Sequence, residues 1–363
     1  MLVKSLELNF FRNIGTTRNE FLDGVNVFYG KNGAGKTNLL EAVFVLLLAR
    51  SPRGVSDTVM LQENAEYYRL KGTVEISGKA HELTVAYQTG GRKKITIDKI
   101  NSRTSELFEL CTAVSTAPED IELLSGPPSK RREFVNIYLS QASKKYIADL
   151  VDYQKVLAQK NAYLRQENNA GETSYDDLLI KYGSVIMLSR REFLDRVAST
   201  AAENYARISG GQGFDLRYKP SVGIENDDWS VGNIEDIFAS KLHRYRERER
   251  IMQTSMVGPH RDEVEFVIRD LPARSHGSQG ELRTAAVSLK LAVFNYLKKI
   301  RGIKPALLLD EIFAELDRER KEMLVELFAD FGQIFLTSAS EIPESLNAQA
   351  RRFKIENGAV FPE

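Results

Sequence analysis

The segment Gly30-Lys31-Asn32-Gly33-Ala34-Gly35-Lys36-Thr37 is the most informative part of the sequence about the fold. Its glycines have the spacing of a P-loop, in which the backbone turns so that several N–H groups point at one anion. In that pattern Lys36 reaches the β- and γ-phosphates of a nucleotide, and the Thr37 hydroxyl ligates Mg²⁺. Residues 30–37 therefore predict a site for ATP with Mg²⁺.

The residues on either side of this loop fit the same interpretation. Val25 to Tyr29 is a short apolar run typical of a buried strand, and an apolar-periodic segment begins near Asn38. Apolar residues cover almost the whole circumference of the following helix, which is typical of a buried helix. A chance glycine turn is the alternative, but such a turn would not bring a strand and a helix with it.

The composition limits the classes of protein to consider. The chain has 363 residues, 42% hydrophobic and 28% charged, as in a folded globular protein. Because 50 Lys and Arg residues balance 50 Asp and Glu residues, any nucleic-acid binding must come from a local basic patch. No apolar run is long enough to span a bilayer and no leader segment is visible, so we expect a cytoplasmic protein without a membrane partner. The one cysteine, Cys111, fits a small core residue.

Hydrophobic periodicity divides the chain into a strand-rich part at each end and a helical part between them. Alternating residues predict strands over residues 1–30 and again from Tyr67 to Ile100. From Pro118 to about Tyr205 apolar residues recur three and four apart, as in helices, and strand patterns return after Val264. We therefore expect an α/β fold in which residues 1–117 and 255–363 form an ATPase domain and residues 118–254 form an inserted, mostly helical lobe.

A second motif, which is acidic, follows the apolar run Leu307-Leu308-Leu309. Many buried strands end in exposed acids, so Asp310-Glu311 alone carries little information. Together with a P-loop it gains meaning, because phosphoryl transfer needs a carboxylate beside Mg²⁺ and a group that orients or deprotonates water. Asp310 suits the metal and Glu311 suits the water.

A serine precedes the longest apolar-periodic helix candidate near the C-terminal end. Ser278-Gln279-Gly280-Glu281 leads into a segment with apolar residues at helical spacing. The simple alternative is that Ser278 is an N-cap with a downstream glutamate. The functional alternative is a second anion site, since the hydroxyl and the free N–H groups of a helix start can bind phosphate.

The order of these motifs resembles that of ABC-type ATPases: a P-loop, a serine-led helix, and a strand that ends in Asp-Glu. The finer residues are similar to the RecF family of bacterial recombination mediators. The segments that carry the resemblance span nearly the whole chain: Leu8 to Asn13, Gly30 to Ala42, Ala117 to Asp120, Gly126 to Pro128, Arg131-Arg132, Gly258 to Asp262, Gly277 to Gly280, Asp310 to Asp317, and Phe335 to Thr337.

The resemblance implies an ABC-type head with a helical second lobe, in which two protomers enclose ATP. Ser278 and Gly280 would then serve the nucleotide held by the partner, Arg12 and Asn13 would approach the nucleotide, and Asp317 would lie at the dimer seam. The nucleotide-binding residues so identified are Arg12, Asn13, Gly30, Lys31, Asn32, Gly33, Ala34, Gly35, Lys36, Thr37, Asn38, Ser278, Gln279 and Gly280. The catalytic residues are Lys36 and Glu311, and the metal ligands are Thr37 and Asp310.

The same resemblance implies a function. It is typical of a DNA-repair protein that hydrolyses ATP slowly and dimerises on ATP. Such a protein binds double-stranded or gapped DNA and assists recombinase loading together with another recombination-mediator protein. Two alternatives stay open on the sequence, namely the ATPase subunit of an ABC-type membrane transporter and a P-loop kinase acting on a small molecule. The stretch between Lys36 and Ser278 is longer than is usual in transporter ATPase subunits, which disfavours the first alternative. A small-molecule kinase would leave the serine-led helix without a function, which disfavours the second.

The chain departs from the family pattern at three points. Asp310-Glu311 stands where the family commonly has Asp-Asp, which agrees with the catalytic glutamate of the wider ABC group. Glu281 stands where the family tends to have glutamine and adds a negative charge to the first turn of the helix. No glutamine outside the serine-led motif stands out for sensing Mg²⁺.

Basic residues concentrate in two short segments of the central part. Lys241 to Arg250 lies in a charged helix candidate, Ile237 to Met252, that follows a strand-like stretch from Ile208 to Ile234. This run is either a solvated helix face or a contact to the DNA backbone. Lys130-Arg131-Arg132 is either a phosphate contact or a structural cluster.

Two further residues favour structural roles. His260, in Gly-Pro-His-Arg-Asp, fits a polar core residue better than a part of the nucleotide site. The lone Trp229 fits a loop anchor better than a platform for base stacking.

Overall fold

The computed structural model describes residues 1–166, 173–224, 227–314, 318–328, 331–339, 342–347 and 350–363. These residues form two compact units. The head unit comprises Met1–Ile121, Glu203–Gly211 and Gln279–Glu363, and the lobe unit comprises Glu122–Ala202 and Gln212–Ser278. The domain boundaries expected from the sequence, at residues 117 and 255, stay predictions.

The strands of the described residues are β1 Leu2–Phe11, β2 Ile14–Glu20, β3 Val25–Tyr29, β4 Tyr67–Ile76, β5 Lys79–Gln88, β6 Lys94–Ile97, β7 Ile100–Asn101, β8 Ala113–Thr116, β9 Phe214–Lys219, β10 Glu263–Ile268, β11 Leu271–Pro272, β12 Ala306–Asp310, β13 Ile334–Ser338, β14 Arg351–Glu356 and β15 Ala359–Pro362.

The helices of the same residues are α1 Lys36–Leu48, α2 Thr104–Leu110, α3 Ile121–Ser125, α4 Pro128–Ala142, α5 Lys144–Leu164, α6 Thr173–Ser209, α7 Val231–Met252, α8 Ala273–His276, α9 Gln279–Arg301, α10 Arg318–Phe328 and α11 Glu344–Asn347. The expected α/β class is confirmed. None of the helices in the described ranges combines the length and apolarity that crossing a bilayer requires.

A parallel sheet forms the centre of the head unit. Its strand order is β15-β14-β3-β13-β12-β8, with β15 antiparallel and the other five strands parallel. Strands β8, β12 and β13 are buried at every residue, as expected of parallel strands covered on both faces. Because parallel strands end at one edge, the residues that follow β3, β12 and β13 meet there, and these are the residues of the nucleotide motifs.

Helix α1 is the buried helix that the sequence predicts after the glycine loop. Eleven of its 13 residues, Lys36 and Leu39 to Leu48, are buried, which agrees with its lack of a polar face. Gly72 of β4 permits this packing: a Cβ there would lie 2.5 Å from a Leu46 methyl and 2.5 Å from the Ser5 carbonyl oxygen.

The second sheet of the head unit is antiparallel. Its order is β2-β1-β4-β5-β6-β7, with each strand from β4 to β7 paired to the next. Burial alternates along β4 and β5, so one face of the sheet is polar. This arrangement confirms the strands expected from Tyr67 to Ile100. In the other sheet β14 and β15 form a hairpin.

The lobe unit is mostly helical and contains the three-stranded sheet β11-β10-β9. Of the described residues in the strand-like stretch Ile208 to Ile234, Phe214–Lys219 form a strand, and α7 begins earlier than expected, at Val231. Ser230 explains the earlier start because its side chain accepts a hydrogen bond from the Asn233 N–H, as an N-cap does. One core cluster of this unit joins Met187, Val222, Ile234, Phe238, Leu242 and Val257.

Candidate nucleotide site

The loop between β3 and α1 has the backbone of a phosphate cradle. Gly30, Gly33 and Gly35 have φ angles of 152°, 78° and 118°, in the region that side chains rarely adopt. A Cβ at Gly30 would collide with the carbonyl group of Ile355 on β14. Helix α1 begins at Lys36, so its N-terminal dipole and its free N–H groups add to the cradle.

Asn13 braces this loop from the side. Its Nδ2 donates to the Gly33 carbonyl oxygen at 3.1 Å, and its Oδ1 accepts from Asn38 Nδ2 at 2.8 Å. A Cβ at Gly35 would lie 2.9 Å from Asn13 Oδ1, so the close approach requires glycine at that position. Four residues that the sequence assigns to the site, Asn13, Gly33, Gly35 and Asn38, therefore lie together.

Arg12 has a different environment. Its Nε and Nη2 donate to the two carboxylate oxygens of Glu41 at 2.9 and 3.1 Å, and its Nη1 donates to the Val59 carbonyl oxygen at 3.0 Å. Glu41 also accepts a hydrogen bond from Ser51. A bidentate guanidinium–carboxylate pair of this kind fixes the Arg12 head group beside α1. Its approach to the nucleotide stays a prediction.

Lys36 is buried, with its side chain only 5% exposed. Its Nζ donates to the carbonyl oxygens of Gly30 and Lys31 at 3.0 and 3.3 Å. It also lies 3.4 Å from Glu311 Oε1. The ammonium group is thus held inside the loop by two carbonyls and one carboxylate.

Asp310, the last residue of β12, brings the second motif to the loop. Its Oδ1 accepts hydrogen bonds from Thr37 Oγ1 at 2.9 Å and from the Thr337 hydroxyl at the end of β13. Burial raises the pKa of Asp310, and the two hydrogen bonds oppose that rise. The end of β12, the end of β13 and the start of α1 therefore meet at the Asp310 carboxylate.

The donor set around Asp310 fits Mg²⁺. A carboxylate and a threonine hydroxyl are oxygen ligands of the kind that this hard cation prefers. Within the described ranges no three His, Cys, Asp or Glu side chains form a cluster able to hold a metal ion. Mg²⁺ does not need such a cage, because it is usually bound by one or two carboxylates together with substrate phosphates and water.

Glu311 follows β12 with a φ angle of 46°, a left-handed conformation that is unusual for a glutamate. Its N–H donates to Thr337 Oγ1 at 2.9 Å, and its Oε2 accepts from the Ala339 N–H at 3.1 Å. Its carbonyl oxygen accepts from Arg283 at 2.7 Å. The sequence did not identify Arg283, which belongs to none of the motifs. It named Thr337 only within the segment Phe335 to Thr337, without its contact to Asp310.

The serine-led motif lies at the start of α9. Ser278, Gln279 and Gly280 are exposed, and the helix begins at Gln279. Exposed N–H groups at a helix start are suited to an anion from outside the chain. Asp317, which the resemblance places at a dimer seam, lies outside the described residues.

The basic cluster Lys130-Arg131-Arg132 makes its contacts with residues of the lobe unit. Arg131 is buried and makes two hydrogen bonds to the carboxylate of Glu263, at 2.6 and 2.9 Å. Arg132 donates to the Asp262 carbonyl oxygen at 2.9 Å, while Lys130 lies 3.6 Å from Glu122. These contacts favour the structural alternative for Arg131 and Arg132.

The charged run on α7 is also partly internal. Glu249 is buried and accepts from Lys160 Nζ of α5 at 2.6 Å. Arg250 pairs with Glu247 at 3.3 Å, and Arg246 lies 3.9 Å from Asp176. A contact of this run to DNA stays a prediction.

Three residues have the structural surroundings expected of them. His260 Nδ1 and Tyr153 Oη are 2.7 Å apart, and burial lowers the pKa of His260 to about 4. Trp229 packs on Tyr218 with ring centroids 5.8 Å apart, as a loop anchor does. Cys111 is buried, and burial raises the pKa of its thiol to about 12, so it is not a nucleophile.

Comparison with known proteins adds to this geometry. The chain matches the RecF/RecN/SMC N-terminal domain family over residues 2–358. It is 32% identical over 372 residues to the DNA replication and repair protein RecF of Latilactobacillus sakei subsp. sakei, which covers 100% of this chain and 99% of the relative. It is 34% identical to RecF of Lachnoclostridium phytofermentans, covering 99% of each chain.

A solved structure of the recombination mediator protein RecF-ATP in the RecFOR pathway superposes on the chain with a TM-score of 0.91 at 30% identity. The superposition covers 99% of this chain and 97% of the other. These matches confirm the ABC-type P-loop ATPase fold that the motifs predict.

Proposed function

The chain belongs to the RecF family, within the wider RecF/RecN/SMC N-terminal domain family, and from this premise we propose that it is an ATP-hydrolysing DNA-repair protein. It binds ATP and Mg²⁺, hydrolyses ATP slowly and dimerises on ATP. It binds double-stranded or gapped DNA and assists recombinase loading with another recombination-mediator protein. The observation that supports the proposal most is the meeting of Lys36, Thr37, Asp310 and Glu311 at one edge of the parallel sheet.

Lys36 is the residue that changes partners in the proposed cycle. Two backbone carbonyls and Glu311 hold its ammonium group. A triphosphate offers Lys36 several charged oxygens, against one carboxylate and two neutral carbonyls, so its binding draws Lys36 away from Glu311. The released carboxylate then orients water for attack on the γ-phosphate.

Asp310 and Thr37 have the complementary task of holding Mg²⁺. When bound, the ion offsets the negative charge of the β- and γ-phosphates. Thr37 and Asp310 are already joined by a hydrogen bond of 2.9 Å. Little rearrangement is therefore needed for both oxygens to face one cation.

The proposed dimer follows from the exposed start of α9. Ser278 and the N–H groups of the first turn lie at the surface of the protomer, where the γ-phosphate on a partner's P-loop can reach them. An ATP molecule enclosed in this way is bound by both protomers, which makes association depend on ATP. Because 50 basic and 50 acidic residues balance, DNA binding by this chain depends on a local basic patch.

The experiment that tests the proposal is sedimentation and DNA binding, each with and without ATP, at two salt concentrations. Gapped, duplex and single-stranded DNA are compared. We expect ATP to produce a dimer and to strengthen binding to gapped or duplex DNA, with weaker binding at higher salt. A strict monomer whose DNA affinity ignores ATP contradicts the proposal.

Two variants separate the two parts of the composite site. Ser278→Arg places a bulky cation in the anion site, so we expect it to abolish ATP-driven dimers in sedimentation while the monomer still binds ATP. Lys36→Arg serves as the contrasting variant, because it changes the P-loop of the protomer that holds the nucleotide. We expect this variant to keep part of its ATP binding and to lose ATP hydrolysis. Equal effects of both variants on ATP binding by the monomer would count against a site shared between two chains.

A further inference from the structure

Helix α9 carries a guanidinium group to the backbone of Glu311. Arg283 lies in the second turn of α9, and its Nη2 donates to the Glu311 carbonyl oxygen at 2.7 Å. The same oxygen accepts the Ala314 N–H at 3.1 Å. Because a carbonyl oxygen has two lone pairs, these two donors satisfy it fully. The Glu311 peptide is therefore fixed by a side chain from a different element.

The backbone of Glu311 needs such support. Its φ angle of 46° places a glutamate in the left-handed region, where the Cβ crowds the carbonyl oxygen, so the conformation is unfavourable without support. A conformation of this kind persists only where the surrounding contacts determine it. Thr337 Oγ1 accepts from the N–H side of the residue at 2.9 Å, while Arg283 holds the carbonyl side.

The direction of the Glu311 side chain depends on this conformation. With the backbone held, Oε1 lies 3.4 Å from Lys36 Nζ and Oε2 accepts from the Ala339 N–H at 3.1 Å. A relaxed, right-handed backbone turns the Cα–Cβ bond away, and the carboxylate leaves the P-loop. Arg283 also lines a cavity with Asp310 and Ile312, which places it on the side of β12 where the acidic motif ends.

We propose that Arg283 is a positioning residue that holds the Glu311 backbone in its left-handed conformation and so aims the carboxylate at the P-loop. The inference rests on the proposed ATPase function, within which Glu311 is the group that orients water. Arg283 touches neither the nucleotide nor the water in this assignment. It acts through the Glu311 carbonyl, from the helix that begins with the exposed Gln279 and Gly280.

The first test is steady-state ATP hydrolysis by Arg283→Met, Arg283→Lys and a matched control, Arg301→Met. Arg301 is also on α9 and also donates to a backbone carbonyl, that of Phe108 at 2.8 Å, but away from the acidic motif. For Arg283→Met we expect kcat to fall roughly tenfold to a hundredfold with KM and ATP affinity unchanged, since only the reacting geometry is disturbed. Lysine at 283 restores part of kcat because it can still donate to the carbonyl.

The second test is hydrogen–deuterium exchange of the peptide containing residues 311–314, which needs no turnover. The Glu311 and Ala314 N–H groups are both hydrogen-bonded, so they exchange slowly when the segment is held. We expect faster exchange there in Arg283→Met and wild-type exchange in Arg301→Met.

The outcomes distinguish the positioning role of Arg283 from the proposed ATPase function. Two results overturn the positioning role even if the wild type is an active ATPase. One is that Arg283→Met hydrolyses ATP as fast as Arg301→Met, and the other is that the exchange of residues 311–314 is unchanged in Arg283→Met. A wild type that binds ATP without hydrolysing it defeats the proposed function instead, and the exchange measurement then decides about Arg283 by itself.

Discussion

Two buried cations, Lys36 in the head unit and Arg190 in the lobe unit, are equally inaccessible but have different kinds of partner. Their side chains are 5% and 3% exposed. Arg190 donates to Asp262 Oδ2 at 2.9 Å, to Asn136 Oδ1 at 3.0 Å and to the Pro259 carbonyl oxygen. Lys36 is held by two loop carbonyls and the 21% exposed Glu311.

The partners of Arg190 are closed off in turn. Asp262 is 1% exposed and accepts from Tyr218 Oη and from the Ser221 N–H, the latter at 2.8 Å. Burial first, and the Asp262 charge second, raise the pKa of Tyr218 well above its ordinary value, so its hydroxyl stays a donor. No group in this network can exchange its partner without leaving a buried charge unsatisfied.

The difference teaches that burial of a charge does not mark a ligand site. A ligand site needs a buried charge whose partners can be replaced, and Lys36 has them because the loop carbonyls are weak acceptors beside an open glycine turn. A structural network needs partners that are themselves buried and fixed. Variants of Arg190, Glu311 and His260 test this distinction.

Removing the guanidinium in Arg190→Met is expected to lower the free energy of unfolding by about 3–5 kcal/mol, because Asp262 is left as an unpaired buried charge. Denaturant unfolding measures this change. The matched control is Arg196→Met on the same helix, whose pair with Glu192 is more than half exposed and whose loss costs under about 1 kcal/mol. The molecules of Arg190→Met that remain folded are expected to bind ATP normally, and weakened ATP binding would show that the network is not purely structural.

Glu311→Gln tests the opposite case, a partner that can be replaced. We expect kcat for ATP hydrolysis to fall roughly a hundredfold or more, since the carboxylate that orients water is lost. ATP binding is not weakened, because Lys36 loses only a partner that the phosphate displaces. The control is Glu356→Gln on β14, an exposed glutamate paired with Lys354. A large loss of folding stability in Glu311→Gln, comparable to that in Arg190→Met, contradicts the distinction.

His260 gives a pH dependence to the lobe unit. Burial, opposed by the Ser255 carbonyl and assisted by Arg261, Arg132 and Arg190, lowers the pKa of its imidazole to about 4 in the fold. The unfolded chain has the ordinary value of about 6.5 and binds the proton first. The contribution of neutral His260 to stability is therefore complete above about pH 6.5 and is lost as the pH falls toward about 4, by up to about 1.4 kcal/mol for each pH unit.

The measurement is the difference in unfolding free energy between the wild type and His260→Gln across that pH range. Subtracting the two unfolding free energies cancels the contribution of the carboxylates, which titrate in the same pH range in both proteins. We expect the wild type to lose stability relative to the variant as the pH falls from about 6.5 to about 4. A difference that does not change over this pH range would show that the fold does not lower the pKa of His260.

The nucleotide motifs could be predicted from the sequence because each depends on local chemistry. Glycines at 30, 33 and 35 are required by the backbone of the loop itself, and a lysine followed by threonine is required by phosphate and Mg²⁺. The strand before the loop, the buried helix after it and the meander from Tyr67 to Ile100 follow from periodicity alone. The extent of the strand between Ile208 and Ile234 did not follow, because a serine N-cap at Ser230 begins α7 within that stretch.

An anion cradle, an acidic strand end and a serine-led helix can be recognised without the structure, because local residue types specify each of them. The tertiary structure decided what they do together. Parallel pairing of β12 with β13 brings Asp310 beside Thr337, and packing of α9 brings Arg283 to the Glu311 carbonyl. It also decided that Arg131 and Arg190 are internal while Lys36 faces a replaceable set of partners. Pairings between residues far apart in the chain depend on strand order and packing, and no local pattern records them.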